Sequence, residues 1–265
     1  MDIKKILITG GSRGIGRSII DLFHQDGVEI HAVSRNFQDF QKYNNLRFHS
    51  VDLSNANNTN KFAKEFLKKH GAPDLLINNA GTGAFFEWKN FPFEEIDRQI
   101  NLLFVSPVIL CRVFAPEMKL QNSGVIVNIS SLATLYPVPY MPLYNAGKSA
   151  LSSFSQSLML EYESFPRVID ARFGDFKSEF NKTSSKQELE ELSARATKAW
   201  EQIELQLVES PPPLVAARLI KKAVLRNKSS VIFGGGFFQG RMAPLLFRIL
   251  PVFLRSKILN RRYFN

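Results

Sequence analysis

Cysteine is almost missing from this chain: among its 265 residues Cys111 stands alone. One thiol cannot close an internal disulfide, nor can it assemble a multi-cysteine metal site, so no metal is expected. A lone thiol also fits a reducing, cytoplasmic setting. Long apolar runs are missing too. No stretch of about eighteen uncharged apolar residues reads as a bilayer-spanning helix. The opening Met1-Asp2-Ile3-Lys4-Lys5 runs straight into Ile6-Leu7-Ile8, without the longer apolar segment and cleavage site of a secretory signal. Acidic residues are missing from positions 241–265. There Arg241, Arg248, Arg255, Lys257, Arg261 and Arg262 supply six of the ten excess positive charges. The rest of the chain is only mildly basic, which argues against a nucleic-acid partner.

What is present suits one large globular domain, with 45% apolar and 22% charged residues. Short β-rich apolar runs at 5–9, 29–34, 46–51, 75–78, 125–129, 167–171 and 231–233 read as strands. Helical stretches fall between them: after the first glycines to about residue 25, then 58–70, 93–119, 144–161, 187–208 and from 214. The 93–119 helix is expected to bend near Pro107 and Pro116. Such alternation calls for right-handed βαβ units and a parallel sheet covered on both faces.

Thr9-Gly10-Gly11-Ser12-Arg13-Gly14-Ile15-Gly16 follows the first strand directly. Gly10, Gly14 and Gly16 suit a turn in which backbone approaches phosphate and the next helix starts tight on the sheet. The N–H groups at that helix start would face a pyrophosphate. An acidic residue ending the second strand would grip an unphosphorylated adenosine ribose. That acid is absent: the place holds Ser34 and then Arg35, and Arg13 sits within the glycine turn. Two guanidinium groups favour a 2'-phosphate, so NADPH is expected over NADH.

Tyr144 and Lys148 are four residues apart on a helix and share a face. An ammonium there would lower the phenol's pKa toward a useful range. Ser131, thirteen residues before the tyrosine, ends a strand where open α/β sheets place ligands. Phenol, ammonium and hydroxyl around one oxygen would serve carbonyl/alcohol redox chemistry.

Together these motifs resemble the short-chain dehydrogenase/reductase family over nearly the whole chain. The family's glycine motif is Thr9 through Gly16, its strand-ending motif Asn78-Asn79-Ala80-Gly81, and its helix asparagine Asn101. Its serine corresponds to Ser131 rather than Ser130, and its Tyr-x-x-x-Lys to Tyr144 and Lys148. The resemblance implies an α/β fold: a single-domain, doubly wound Rossmann sheet of about seven strands with a small helical lid. The domain is expected over 1–240, with its lid at about 178–213 and residues 241–265 as a basic apolar extension. The resemblance further implies Tyr144 as general acid, Lys148 on the nicotinamide ribose and Asn101 on a relay water. It places Asp52, with Leu53 beside it, at the adenine. Gly174 and Ser178 match a family loop that usually carries proline where this chain has Phe173.

Leu132, Phe85, Phe86, Tyr136, Val138, Tyr140 and Met141 are the expected apolar walls, which favours a lipophilic ketone or aldehyde. The helix at 187–208 would close over it. Two broad apolar helices, 93–119 and 144–161, and the resemblance imply a homodimer or homotetramer. The 241–265 extension would lie on an anionic membrane or pack on protein. Alternatives are NAD-dependent alcohol oxidation and a catalytically silent, membrane-associated nucleotide-binding protein, the latter weighed against by an intact Asn101, Ser131, Tyr144 and Lys148.

Overall fold

The computed structural model describes residues 3–37, 43–226 and 228–265; Met1 and Asp2 of the opening segment lie outside them. In chain order come β1 (Lys5–Thr9), α1 (Gly14–His24), β2 (Glu29–Ser34), β3 (Leu46–Ser50), α2 (Ala56–His70), β4 (Leu75–Asn78) and β5 (Ala84–Phe85). Then follow α3 (Phe93–Ile100), α4 (Ser106–Leu120), β6 (Val125–Ser131), α5 (Pro142–Glu161), β7 (Arg167–Phe173), α6 (Phe180–Thr183) and β8 (Ser185–Lys186). The last elements are α7 (Ala194–Glu209), α8 (Pro213–Val224), β9 (Ser230–Gly234), α9 (Ala243–Ile249) and α10 (Val252–Phe264).

Seven strands form one parallel sheet in the order β3-β2-β1-β4-β6-β7-β9. The chain winds outward from β1 in one direction, then returns to β4 and winds the other way. That reversal opens a crevice at the carboxyl ends of β1 and β4. Strand alternation supplies two cores. Ile6 and Ile8 meet Ile19, Ile20 and Phe23 of α1 and Ile220 of α8 on one face. Leu7 meets Phe66 of α2 and Phe114 of α4 on the other. Each such side chain, fully buried, contributes about 1.5–3 kcal/mol over an exposed one.

The long helix at 93–120 is interrupted just ahead of Pro107, near where a bend was expected, and not at Pro116. A π-helical turn spans Asn101–Val105, where the Ser106 N–H reaches back to the Asn101 carbonyl. Pro107 follows close on that turn, and having no N–H to give to a carbonyl of the preceding turn it sits where the helical ladder is already widened. Pro116 sits inside α4 without ending it. By length and mean hydropathy of 1.5 this stretch could cross a membrane. Its apolar side is instead core: Leu110, Cys111, Phe114 and Met118 are buried against the sheet.

The expected helix at 187–208 starts later, at Ala194, where the Ser193 hydroxyl accepts the Ala196 N–H at 3.3 Å. Ahead of it β8 pairs with β5 in a separate two-stranded parallel sheet. Ala196, Ala199 and Trp200 of α7 pack on Phe85 and Met141. The tail folds back over the carboxyl end of the large sheet. Phe247 and Ala243 of α9 pack on Tyr136 and Leu132. On α10, Arg262 donates to Gln206 of α7 at 2.6 Å, and Arg195 lies 3.6 Å over the Phe264 ring.

Candidate active site

At the switch point the glycine turn is held open by its neighbours. Gly10 and Gly14 adopt left-handed φ of 68° and 55°. A side chain on Gly16 would fall 2.2 Å from the Gly10 carbonyl oxygen, so only hydrogen fits there. The Asn79 amide donates to the carbonyls of Thr9 and Gly10 at 3.0 and 2.8 Å. The Thr9 hydroxyl accepts N–H bonds from Asn79 and Ala80 at 3.0 and 3.1 Å, lashing the end of β1 to β4. The outcome is a cradle of backbone into which Gly10, Ser12, Arg13, Gly14 and Ile15 all face. Gly16 lies beneath it. This cradle is a shape that a pyrophosphate fits.

Beyond the cradle, Ser34, Arg35, Asp52 and Leu53 continue the wall. The Ser34 hydroxyl donates to Ser12 at 3.3 Å. Arg13 donates to the Thr183 hydroxyl at 2.8 Å, tying the glycine turn to α6. Burial pushes the Asp52 carboxyl up, but bonds from Ser54 and the charges of Arg35 and Arg98 more than offset this and hold it below the usual carboxylate value. Asp52 is therefore a settled anion whose Oδ1 already accepts from the Ser54 N–H and hydroxyl.

Ser131, Tyr144 and Lys148 stand farther along the same cleft, whose volume is about 270 Å³. Ser130 and Ser131 end β6 and divide the work. The Ser130 hydroxyl donates to the buried Asp170 at 2.5 Å, whereas the Ser131 hydroxyl faces the cleft and accepts the Ala133 N–H at 3.1 Å. Asp170 also takes Ser152 at 2.6 Å and pairs with Arg172 at 2.8 Å, an ion pair within β7. Lys148 is buried and donates to the Ile129 carbonyl at 2.6 Å. Burial lowers its pKa and nearby Asp170 partly restores it, leaving it at about 8.

Tyr144 runs against expectation. Its phenol is pushed up to about 12, by burial first, with a hydrogen bond to Ser131 pulling the other way. Desolvation of the phenolate outweighs what a shared helix face offers, because the Lys148 ammonium is turned to a backbone carbonyl. The Tyr144 ring sits edge-on to Phe180 at 5.7 Å. Asn101 does not reach this wall: Arg98 and Leu102 line the cleft from its helix, and its own carbonyl closes the π-helical turn.

The apolar walls are partly those expected. Leu132, Tyr136, Val138 and Met141 line the cleft. Phe85 and Phe86 do not: both are buried, and Phe85 stacks edge-on to Trp200 at 4.9 Å. Tyr140 faces a separate shallow pocket with Trp88. Phe173, in the usual proline position, fills core against Phe176 at 5.4 Å while one side borders the cleft. Gly81, Gly174 and Ser178 lie at the cleft as expected.

Several wall residues escaped the sequence reading. Gln239 donates to Asp175 at 2.7 Å and accepts from Tyr136 through its carbonyl at 3.3 Å, so it braces the loop after β7. Its side chain lies where a Cβ on Gly174 would sit, 2.7 Å away. Tyr263, Ile203, Gln206 and Leu207 complete the roof. Asn145 clamps the 138 loop by giving to and taking from the Val138 backbone at 2.8 and 3.1 Å. Its place next to Tyr144 in the chain was the one local signal for it.

A backbone cradle at the switch point, with a phenol, an ammonium and a strand-end hydroxyl in the same cleft, is the anatomy of an oxidoreductase that works beside a dinucleotide. The chain belongs to the short-chain dehydrogenase family, whose sequence model matches residues 4–189. It is 31% identical over 185 residues to the 3-ketodihydrosphingosine reductase of Bacteroides thetaiotaomicron, a match covering 69% of this chain and 68% of that protein. Matches to two further curated relatives span 55% and 61% of their lengths. A short-chain dehydrogenase from Streptomyces avermitilis has the same fold with a TM-score of 0.79, at 25% identity over 97% of this chain and 95% of that one. A metagenomic short-chain oxidoreductase in complex with NADP gives 0.67, at 27% identity over 86% and 94%.

Proposed function

We propose that this protein reduces a lipophilic ketone or aldehyde to the alcohol with NADPH, Tyr144 acting as general acid. The observation that carries the reading is that Ser131, Tyr144 and Lys148 line one cleft together with the glycine turn at Gly10–Gly14. Gly10, Ser12, Gly14 and Ile15 would hold the pyrophosphate, with Asn79, Ala80 and Gly81 flanking it. Bound NADPH supplies the hydride that reduces the carbonyl carbon. Tyr144, held protonated by its pKa of about 12, gives its proton to the carbonyl oxygen. Ser131 orients that oxygen and stabilises the charge developing on it. Lys148 holds the ribose and helps restore the phenol's proton. Arg13 and Arg35, with no acid ending β2, support a 2'-phosphate. The NADP-bound metagenomic relative and the ketoreductase from Bacteroides thetaiotaomicron agree with a phosphorylated cofactor and a lipid-like ketone.

Fluorescence titration with NADPH and NADH, followed by a panel of hydrophobic ketones, tests this. NADPH is expected to bind more tightly, and Tyr144→Phe to lower kcat by about 10²–10⁴-fold. Equal or tighter NADH binding would overturn the cofactor assignment, and an unimpaired Tyr144→Phe the chemistry.

A further inference from the structure

Exposed apolar side chains are not spread evenly over this molecule. Among the described residues, eight of eighteen exposed large hydrophobics fall between Phe237 and Ile258. They converge on the elbow between α9 and α10: Leu245 is 67% exposed, Ile249 81%, Val252 72% and Phe253 69%. The same helices are anchored from beneath by Phe247 and Tyr263, both buried. The elbow is thus a built surface with its apolar side turned outward. Charge on these two helices has one sign. Residues 210–265 contain no Asp or Glu, and Arg241, Lys257 and Arg261 are exposed beside the apolar patch. A second copy of the patch would bring these cations against like charge. Anionic lipid headgroups would pair with them while the elbow enters the acyl boundary.

We propose that the α9–α10 elbow docks the protein on an anionic bilayer, from which its carbonyl substrate enters the cleft. Tyr263 joins the two surfaces: it stands on the helix that carries the outer patch and lines the cleft within. The substrate half of this inference rests on the carbonyl-reduction reading above; the docking half does not.

The full chain is sedimented with vesicles of phosphatidylcholine alone or of phosphatidylcholine with phosphatidylglycerol. Binding is expected only to the anionic vesicles and is weakened by salt. Ile249→Glu and Phe253→Glu are expected to weaken it at least about tenfold, as is the double reversal Lys257→Glu, Arg261→Glu. All sit at exposed positions, and unchanged thermal melts confirm folding. With a water-soluble ketone Phe253→Glu keeps wild-type turnover, while turnover of a long-chain ketone embedded in anionic vesicles falls at least about tenfold. Equal binding to both vesicle types, or unaltered binding by all variants, overturns the docking. So does self-association abolished by Phe253→Glu without vesicle binding, which would make a second copy the occupant. Absence of turnover on every ketone sinks the site reading and the substrate half, while sedimentation decides docking by itself.

Discussion

Two ionisable side chains in the cleft are tuned by burial, and in opposite directions. Tyr144 is raised to about 12 and Lys148 lowered to about 8, because each loses stability in its charged form when water is removed. The phenol therefore carries its proton at every physiological pH, as a proton donor must. Lys148 is the group that titrates. As pH rises through about 8 it loses its positive charge, and with it, on the proposed reading, its hold on the nicotinamide ribose. Reductive kcat/KM is accordingly expected to be flat below that pH and to decline above it. A pH series on Lys148→Arg, whose side chain stays charged, should show weaker turnover without that descending limb. An identical limb in the variant would assign the titration elsewhere.

At the scale of elements, function depends on how β1, α1 and β4 meet. Gly16 lets α1 begin directly under the Gly10 carbonyl, and the Thr9 and Asn79 side chains brace that contact from both strands. A methyl group at Gly16 must push the turn open, which costs about 1–3 kcal/mol. If this falls on the bound state, Gly16→Ala weakens nucleotide binding by roughly fivefold to a hundredfold in a fluorescence titration. Gly236→Ala is the control, since a Cβ there meets nothing within 4 Å. The glycine turn, the β1–α1 boundary and the Tyr144–Lys148 helix were legible because each is set by neighbours a few residues apart. The segment with Phe85 and Phe86 was not: Phe85 looks like a pocket aromatic, but β8 and Trp200, about a hundred residues on, draw it into the core, while Phe86 turns to Phe91 and the shallow pocket beside Trp88.

On the scale of the whole molecule, the surface left by α3, α4 and α5 remains apolar in part. Phe93, Leu120 and Leu160 are each more than three-quarters exposed, and Phe104 meets Phe154 edge-on at 6.3 Å between these helices. Burying that face in a homodimer or homotetramer is our proposal for it, separate from the α9–α10 elbow. Sedimentation at micromolar protein is expected to give a species larger than 30.1 kDa, dispersed by Leu120→Glu with Leu160→Glu. A monomer in the wild type would refute it. The 241–265 extension packs on the rest of the chain: Phe247 meets Tyr136 and Leu132, and Tyr263 lines the cleft. The Arg248 side chain lies outside the described residues.

The sequence by itself determined the order of βα units, the phosphate cradle and the Tyr144-x-x-x-Lys148 face, since strand alternation, helical spacing and glycine conformations are local properties. The spacing to Tyr144 singled out Ser131 over Ser130; tertiary structure supplied the reason, because Asp170 claims the Ser130 hydroxyl from an adjacent strand. Tertiary structure alone decided the sign of the Tyr144 shift, which comes from desolvation by the surrounding fold. It also brought Gln239 and Tyr263 to the site, for burial and long-range contact sum over the whole chain and leave no mark at any one position.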